Sequence, residues 1–139
     1  MAELLVGEDV EVAFITELDG AMPAIMETGV AAGTKIPGGD DKPTEFIRVV
    51  LSGGAERDLV TDSPTVTVEY FAVKEGRAAR GAAFALAVLQ RAGRVGSLGG
   101  VPCYGVTSFS LPANLPHPEV PDRFRYQFTV SADLRKSVV

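Results

Sequence analysis

The chain has 139 residues, a length that suits one domain spanning residues 1–139. It is 46% hydrophobic and 22% charged, a composition typical of a globular rather than a disordered protein. Its net charge of −5 is uneven, because residues 1–30 hold seven acids and no Lys or Arg, whereas the remainder sums to +2. No basic stripe is evident in the sequence to neutralise phosphates, so tight nucleic-acid binding is not expected.

The sequence also argues against a membrane protein or a secreted one. No apolar run approaches the roughly 20 residues that a membrane helix needs, and the first residues lack the positive charge that opens a secretory signal. The single Cys103 cannot form an internal disulfide, which is consistent with a reducing compartment. We therefore expect residence in a cytoplasm.

The first predicted element is an amphipathic helix from Asp9 to Met22, with Pro23 ending it. Its apolar residues recur at spacings of three and four: Val10, Phe14, Leu18, Ala21 and Met22. The next stretch is less regular. Thr28 to Ile36 is compatible with a short strand, and the composition of residues 37–43, which include Asp40 and Asp41, predicts a loop.

Two strands are predicted in the middle of the chain. Glu45 to Leu51 is apolar on both faces except for Arg48, which favours a central strand. Thr65 to Val73 alternates, with Val66, Val68, Tyr70 and Ala72 on one face. Between these strands we expect a turn at Ser52-Gly53-Gly54, a short strand from Arg57 to Val60, and a second turn at Asp62-Ser63-Pro64.

A second helix is predicted from Glu75 to Ala92, capped by Gly93. Its apolar stripe is rich in alanine, which permits close packing on a sheet: Ala79, Ala82, Ala83, Leu86 and Leu89. The glycine-rich residues 93–100 superficially resemble a phosphate-binding loop. They follow a helix instead of a strand and lack the Gly-Lys-Ser/Thr ending, so they predict a flexible connector.

The strongest structural signal is the last predicted strand, Arg123 to Leu134, in which apolar and polar residues alternate throughout. A shorter strand, Tyr104 to Phe109, is expected to pair with it. The linker between them contains four prolines, and we expect its residues 112–121 to form a stiff, exposed arm that cannot join a sheet, although a well-packed surface loop is an alternative. The element order predicts an α+β domain with a mainly antiparallel sheet of four to five strands and two helices, both on one face.

The sequence offers no catalytic constellation. His117 is the only histidine, it lies between two prolines, and no motif connects it to Cys103. One His and one Cys cannot make a metal site, and Asp40, Asp41 and Asp62 are ordinary loop acids. We therefore expect a non-enzymatic assembly or binding module with no cofactor and no metal.

Three stretches together resemble a known family: E-F-I-R-V-V-L-S-G-G (45–54), D-L-V-T-D-S-P-T-V-T-V-E-Y-F-A (58–72) and the ending from Gly105 to Arg135. They resemble the tail terminator proteins of siphophages that infect actinobacteria, which are related in fold to the minor tail protein U of phage lambda. The resemblance runs from the first helix to the last strand and depends on strand patterns and the proline-rich linker, without a chemical signature.

The resemblance implies a structural role in the virion. It implies a ring, typically of six subunits, that caps the head-proximal end of the tail tube and stops its polymerisation. The expected partners are other copies of the chain, the major tail tube protein and the head–tail connector proteins. DNA would pass through the ring without specific binding, and assembly would take place in the bacterial cytoplasm.

Two sets of residues are candidates for this assembly. Heterologous ring contacts need two different patches on each subunit. The candidates are the loops 37–42 and 93–100, Arg48, and the proline arm with Asn114, Pro116, His117 and Pro118. For Arg48, an acid across a subunit boundary and a buried partner in the same chain are equally open. The second set comprises acids that would line the channel and repel DNA: Glu8, Glu11, Glu17 and Asp19.

Two alternatives stay open at this stage. A head–tail connector or tail completion protein would share the fold and differ in its partners. A small enzyme or ligand-binding domain would need a concave pocket with convergent polar groups, and the sequence supplies no such set.

Overall fold

The computed structural model describes residues 3–39 and 42–139 as an α+β fold with two helices and a mainly antiparallel sheet, as predicted. Asp40 and Asp41, which were predicted to be loop acids, lie outside the described residues. The elements in chain order are β1 (Leu5–Val6), α1 (Val10–Met26), β2 (Ala32–Gly33), β3 (Glu45–Asp58), β4 (Thr61–Ala72), α2 (Glu75–Val95), β5 (Ser97–Leu98), β6 (Val101–Asn114), β7 (Phe124–Arg135) and β8 (Ser137–Val138).

The main sheet has six strands in the order β2-β3-β4-β7-β6-β5, so the expectation of four to five strands was wrong. The extra strands are β2 and β5, which have two residues each and are too short to show an alternating pattern. All pairings are antiparallel except that of β2 with β3. A separate two-stranded sheet joins β1 to β8 near the two ends of the chain.

The long last strand is confirmed, and β7 lies in the interior of the sheet between β4 and β6. Its apolar face packs under the two helices, and the buried residues of this core come from both helices and from the inward faces of β3, β4, β6 and β7. Both helices therefore cover the same face of the sheet, as expected. One close approach is notable: a Cβ on Gly81 of α2 would lie 2.3 Å from the Tyr70 ring of β4, so only glycine fits there.

Helix α1 continues through Pro23 to Met26, contrary to the prediction that Pro23 ends it. Proline in a helix interior removes one backbone hydrogen bond, but Met22 and Met26 on either side of it are buried in the core and hold the last turn in place. The helix ends at Glu27, which has a left-handed backbone (φ 53°) and donates its N–H to the Pro23 carbonyl. Of the predicted short strand at 28–36, only Ala32–Gly33 forms.

The β3–β4 hairpin is longer than the sequence predicts. The expected turns at 52–54 and 62–64 and the short strand at 57–60 were wrong, because β3 and β4 pair until a reversal at Leu59-Val60. Gly53 and Gly54 have positive φ, but they form a bulge in β3 instead of a turn. A Cβ on Gly54 would lie 2.4 Å from the Ser63 carbonyl oxygen, so glycine lets the two strands approach.

Helix α2 extends to Val95 and is capped by the left-handed Gly96, so the predicted cap at Gly93 was wrong. Gly93 instead packs against β6, where a Cβ would lie 2.8 Å from the Val106 nitrogen. The predicted flexible connector is an ordered turn: β5 and β6 pair around Gly99-Gly100, and Gly99 (φ 58°) lies against the Ala13 carbonyl of α1. In the described residues, neither helix has the length and apolarity needed to span a bilayer.

Candidate assembly surfaces

The proline-rich linker packs on its own chain to a greater extent than predicted. Residues 112–114 belong to β6, where Ala113 is in register with Gln127 of β7, so the expectation that residues 112–121 stay out of the sheet was wrong at this end. The arm that the structure contains consists of residues 115–123, between β6 and β7, instead of the predicted residues 112–121. Within the arm, Val120 is 1% exposed and packs against Phe46 and Phe71, whose rings stack 4.6 Å apart on the face of the sheet opposite the helices. The alternative of a packed surface loop thus describes Val120 better than an exposed arm does.

Polar contacts fasten both ends of the arm. Arg123 donates to the Pro43 carbonyl at 2.9 Å, Lys42 pairs with Asp122 at 3.0 Å, and Arg125 donates to the Leu115 carbonyl at 2.5 Å. The hydrogen bond and charge of Lys42 hold the pKa of Asp122 below its usual value. The arm is therefore held against the outer face of the sheet by one buried side chain and several exposed contacts.

The predicted interface residues of the arm are only partly accessible. Pro116 and Pro118 are exposed, as is Asn114 at the end of β6, which donates to Glu75 at 3.3 Å. His117 is half-buried, with its ring 6.1 Å from that of Phe71 and its Nδ1 accepting from the Glu119 N–H. A neighbouring subunit could contact the prolines directly, whereas His117 already has partners in its own chain.

Arg48 pairs within the chain. Its guanidinium binds Glu69 on the adjacent strand, and Arg125 of β7 binds the other carboxylate oxygen at 2.5 Å. Glu69 is 2% exposed, so two arginines share one buried carboxylate on the outer face. Of the two possibilities that the sequence left open for Arg48, the structure contains the intramolecular one.

The four acids predicted to line a channel all accept hydrogen bonds inside the chain. Glu11 and Glu17 accept from the backbone N–H groups of Leu51 in β3 and Gly99 in the β5–β6 turn, at 3.2 and 3.0 Å. The other two accept from elsewhere: Glu8 from the Ser137 hydroxyl and Asp19 from the Ala32 N–H. Asp19 and Glu11 thus link α1 to β2 and β3, and Glu17 links it to the β5–β6 turn at the other end of the six-stranded order. The role of the four acids in a channel stays a prediction.

The two long outer strands differ along their free edges. Beyond Pro102, β6 has no described strand partner on its outer side. The strand contains no charged residue, and two of its apolar side chains, Phe109 and Leu111, are 61% and 73% exposed. The free part of β3, beyond Arg48, carries charges near its end, and Glu11 occupies the Leu51 N–H. Uncharged exposed edges are templates for another strand, and charges discourage such pairing.

A further apolar surface lies at the tip of the β3–β4 hairpin. The Lys136 N–H donates to the Val60 carbonyl, and the Val139 N–H donates to the Leu4 carbonyl, so the β1–β8 sheet adjoins the hairpin turn. The exposed aliphatic side chains here are Leu4, Val6, Leu59, Val60, Val138 and Val139. Clusters of this kind are typical of contact surfaces.

The outer face of α2 was not predicted as a site. Its exposed arginines Arg80, Arg91 and Arg94 share one side of the helix with Phe84 and Ala87, and the Arg80 guanidinium lies 4.9 Å from the Phe84 ring centroid. Two shallow grooves, of about 570 and 260 Å³, run beside Phe84. The signal in the sequence was the alternating spacing of four and three residues between these five side chains. The alanine-rich stripe of the core face drew attention away from this second stripe on the same helix.

Cys103 and His117 do not meet. Cys103 is buried, and burial raises the pKa of its thiol, whereas His117 lies on the outer face. In residues 3–39 and 42–139, no group of three His, Cys, Asp or Glu side chains is placed to hold a metal ion. The buried Glu45 and Tyr70 and the half-buried Arg77 form a polar cluster that joins β3, β4 and α2. Arg77 also donates to the Met26 carbonyl at 2.9 Å, which fastens α2 to the end of α1.

Comparison with solved structures shows what fold the chain shares. It is similar to a chain in the virion of a native gene transfer agent (GTA) particle, with a TM-score of 0.56 at 13% sequence identity, and the similarity covers 91% of this chain and 92% of the other. At this identity the likeness is one of fold. No protein-family model matches the sequence, and no curated protein matches it.

Proposed function

We propose that the chain is a structural, non-catalytic protein of a phage-like virion, and specifically a tail terminator. In this role it forms a ring, of six subunits by the family resemblance, on the head-proximal end of the tail tube. The ring stops tube polymerisation, offers a surface to the head–tail connector proteins, and lets DNA pass through its centre.

The observation that carries this proposal is the fold similarity to a chain of a GTA virion, because it extends over nine-tenths of both chains. A shared fold over full length is compatible with a shared kind of assembly, although fold alone does not determine function. The sequence resemblance to tail terminators supplies the finer assignment.

The surfaces of the molecule are suited to assembly in a ring. A ring is built from heterologous contacts, in which two different surfaces of each subunit meet. The uncharged free edge of β6, the aliphatic surface around Leu59 and the row of arginines on α2 are three different surfaces of this kind. They lie on separate elements of the fold, so one subunit can contact neighbours on more than one side.

Electron microscopy of lysates from a phage that lacks this gene tests the proposal. Overlong tubes without heads are expected, because nothing would stop the tube from growing. Tails of normal length that fail to join heads would instead assign the chain to a connector or tail completion role. Normal virions would contradict both roles and would favour a ligand-binding function.

A further inference from the structure

The outer face of α2 carries three arginines whose charge is not balanced locally. No Asp or Glu of the described chain lies within salt-bridge distance of Arg80, Arg91 or Arg94. The only acid in α2 is Glu75, which accepts from Asn114 and Tyr126 near the start of the helix. This arginine row thus presents three positive charges on a chain whose net charge is −5.

The surface around the arginine row is apolar and shallow. Gly76, Ala79, Ala83 and Ala87 line one groove together with Phe84, and Ile25 of α1 lines the other. Small side chains let another helix approach closely, and an aromatic ring beside an arginine offers a contact that excludes water. An apolar floor with charges along it suits a protein helix better than a nucleic-acid backbone.

The complementary surface is on α1. Asp9, Asp19 and Glu27 are exposed, and at 100° per residue they lie on one side of α1 and its cap, together with Thr16 and the 55% exposed Val12. Asp9 and Asp19 each accept a backbone hydrogen bond through one oxygen and keep their charge and their other oxygen for a partner. This acidic row thus has an apolar side chain among its charges, as the arginine row does.

The two rows also match in length. The helix rise of about 1.5 Å per residue separates Asp9 from Asp19 by about 15 Å, and it separates Arg80 from Arg91 by about 17 Å. Two arginine rows brought together by a twofold axis would repel each other, so an α2–α2 contact is disfavoured. An α2–α1 contact pairs opposite charges and joins two different surfaces, which is the requirement for a ring.

We propose that the arginine row of α2 binds the acidic row of α1 from another copy of this chain. The proposal rests on the ring function proposed above and names one of its subunit contacts. Val12 would lie against Phe84 and Ala87, and the arginines would pair with carboxylates at the rim of the contact.

Charge reversal with rescue tests this contact, measured as self-association by sedimentation equilibrium. The wild-type chain is expected to associate at concentrations up to ~1 mM at low salt and to dissociate as salt rises, since rim charge pairs are screened. Arg80→Glu with Arg91→Glu is expected to weaken association about 100-fold, because two attractive pairs become repulsive. The matched control, Lys35→Glu with Lys74→Glu, makes the same change in net charge away from the row and is expected to leave association unchanged.

The rescue uses residues that do not cap backbone groups with their side chains. Thr16→Arg with Glu27→Lys changes the summed charge of the acidic row from −3 to 0 and is therefore expected to weaken association. With all four substitutions in one chain, the basic side chains at positions 16 and 27 can pair with the acidic ones at positions 80 and 91, so association is expected to be stronger than in either double variant. A fold defect does not explain this result, because the chain with the most substitutions would then be the least stable.

Three results would overturn the contact. The first is a wild-type chain that stays monomeric at ~1 mM and low salt. The second is association that persists in both double variants, which would leave the ring in place but assign it to other surfaces. The third is a chain that shows no salt-sensitive self-association but binds a DNA duplex through Arg80 and Arg91. None of these results concerns tail length in gene-deletion lysates, by which the terminator function itself is judged.

Discussion

The two faces of the sheet are held together by different forces. The inner face is covered by two helices and packs a continuous apolar core, whereas the outer face holds its arm through one small cluster around Val120 and the ion pairs of Glu69, Asp122 and Arg123. Apolar burial is the larger stabilising term in folded proteins, and an exposed ion pair such as Lys42–Asp122 contributes little. The comparison implies that the inner face determines whether the chain folds, while the outer face determines where the arm lies.

The largest expected effect is on the inner face. Phe128 of β7 is 1% exposed in the core, so Phe128→Ala should lower the free energy of unfolding by about 3–5 kcal/mol through lost burial and the cavity left behind. Phe124 is the matched control, because it lies on the same face of the same strand but is 40% exposed, and Phe124→Ala should cost less than ~1.5 kcal/mol. Urea unfolding followed by circular dichroism measures both, and equal effects would refute the inner-face assignment.

The second effect is on the outer face. Glu69→Gln removes the negative charge shared by Arg48 and Arg125, and since both arginines are partly exposed, we expect a loss of about 2–3 kcal/mol, which is less than for a fully buried pair. Glu56→Gln removes an exposed acid that pairs with Lys136 and should cost no more than ~0.5 kcal/mol. The same urea titration distinguishes the two variants, and a Glu69→Gln protein as stable as wild type would contradict the role of this network.

A smaller effect is expected for the arm. Val120→Ala removes two methyl groups from the cluster with Phe46 and Phe71, which should cost about 1–2 kcal/mol. Most of this loss should appear locally, as faster amide hydrogen exchange and proteolysis in residues 115–123, since the contacts of the inner core are unchanged. Val60→Ala, at the exposed hairpin turn, serves as control. If the variant instead lost stability uniformly, the arm would be part of the main folding unit.

The smallest effect concerns pH. The pKa of Asp122 is lower in the folded than in the unfolded chain because Lys42 stabilises the carboxylate. The contribution of this ion pair to the stability of the docked arm is therefore fully present above about pH 4, and it is lost as pH falls through the lower, folded pKa. The protection factors of the arm amides, which are corrected for the intrinsic pH dependence of exchange, should therefore fall in that acidic window in the wild type and change less in Asp122→Asn. An arm equally protected on both sides of the window in the wild type would show that this pair does not hold it.

The sequence predicted the features that repeat and missed those that depend on single contacts. The alternation in residues 123–134 and the helical spacing around Phe14 gave the elements and their buried faces correctly, because periodicity reports directly on which side of an element is apolar. Gly53, Gly54 and Pro64 indicated turns, but here they lie at a bulge in a paired hairpin, which depends on the partner strand and not on local composition.

The candidate site was less predictable than the fold for the same physical reason. The docking of the arm depends on Val120 reaching Phe46 and Phe71, and the roles of Glu11 and Glu17 depend on backbone N–H groups 40 and 82 residues away. Such long-range partners leave no local pattern in a sequence. The arginine row does leave one, and a scan of the second helix for a charged outer stripe would have found it.

The order of strands in the sheet has a consequence for how the chain acquires its structure. The hairpins β3–β4 and β6–β7 each pair neighbours in sequence, whereas the central junction pairs Val68 with Phe128 across 60 residues that include α2. Closing such a loop costs chain entropy before its contacts can form, so contacts between distant residues slow folding. The two hairpins are therefore expected to form first and to join along β4 and β7 in the rate-limiting step. Until they join, each would expose strand edges that the finished sheet conceals, and newly made chains would be most prone to aggregate in that interval.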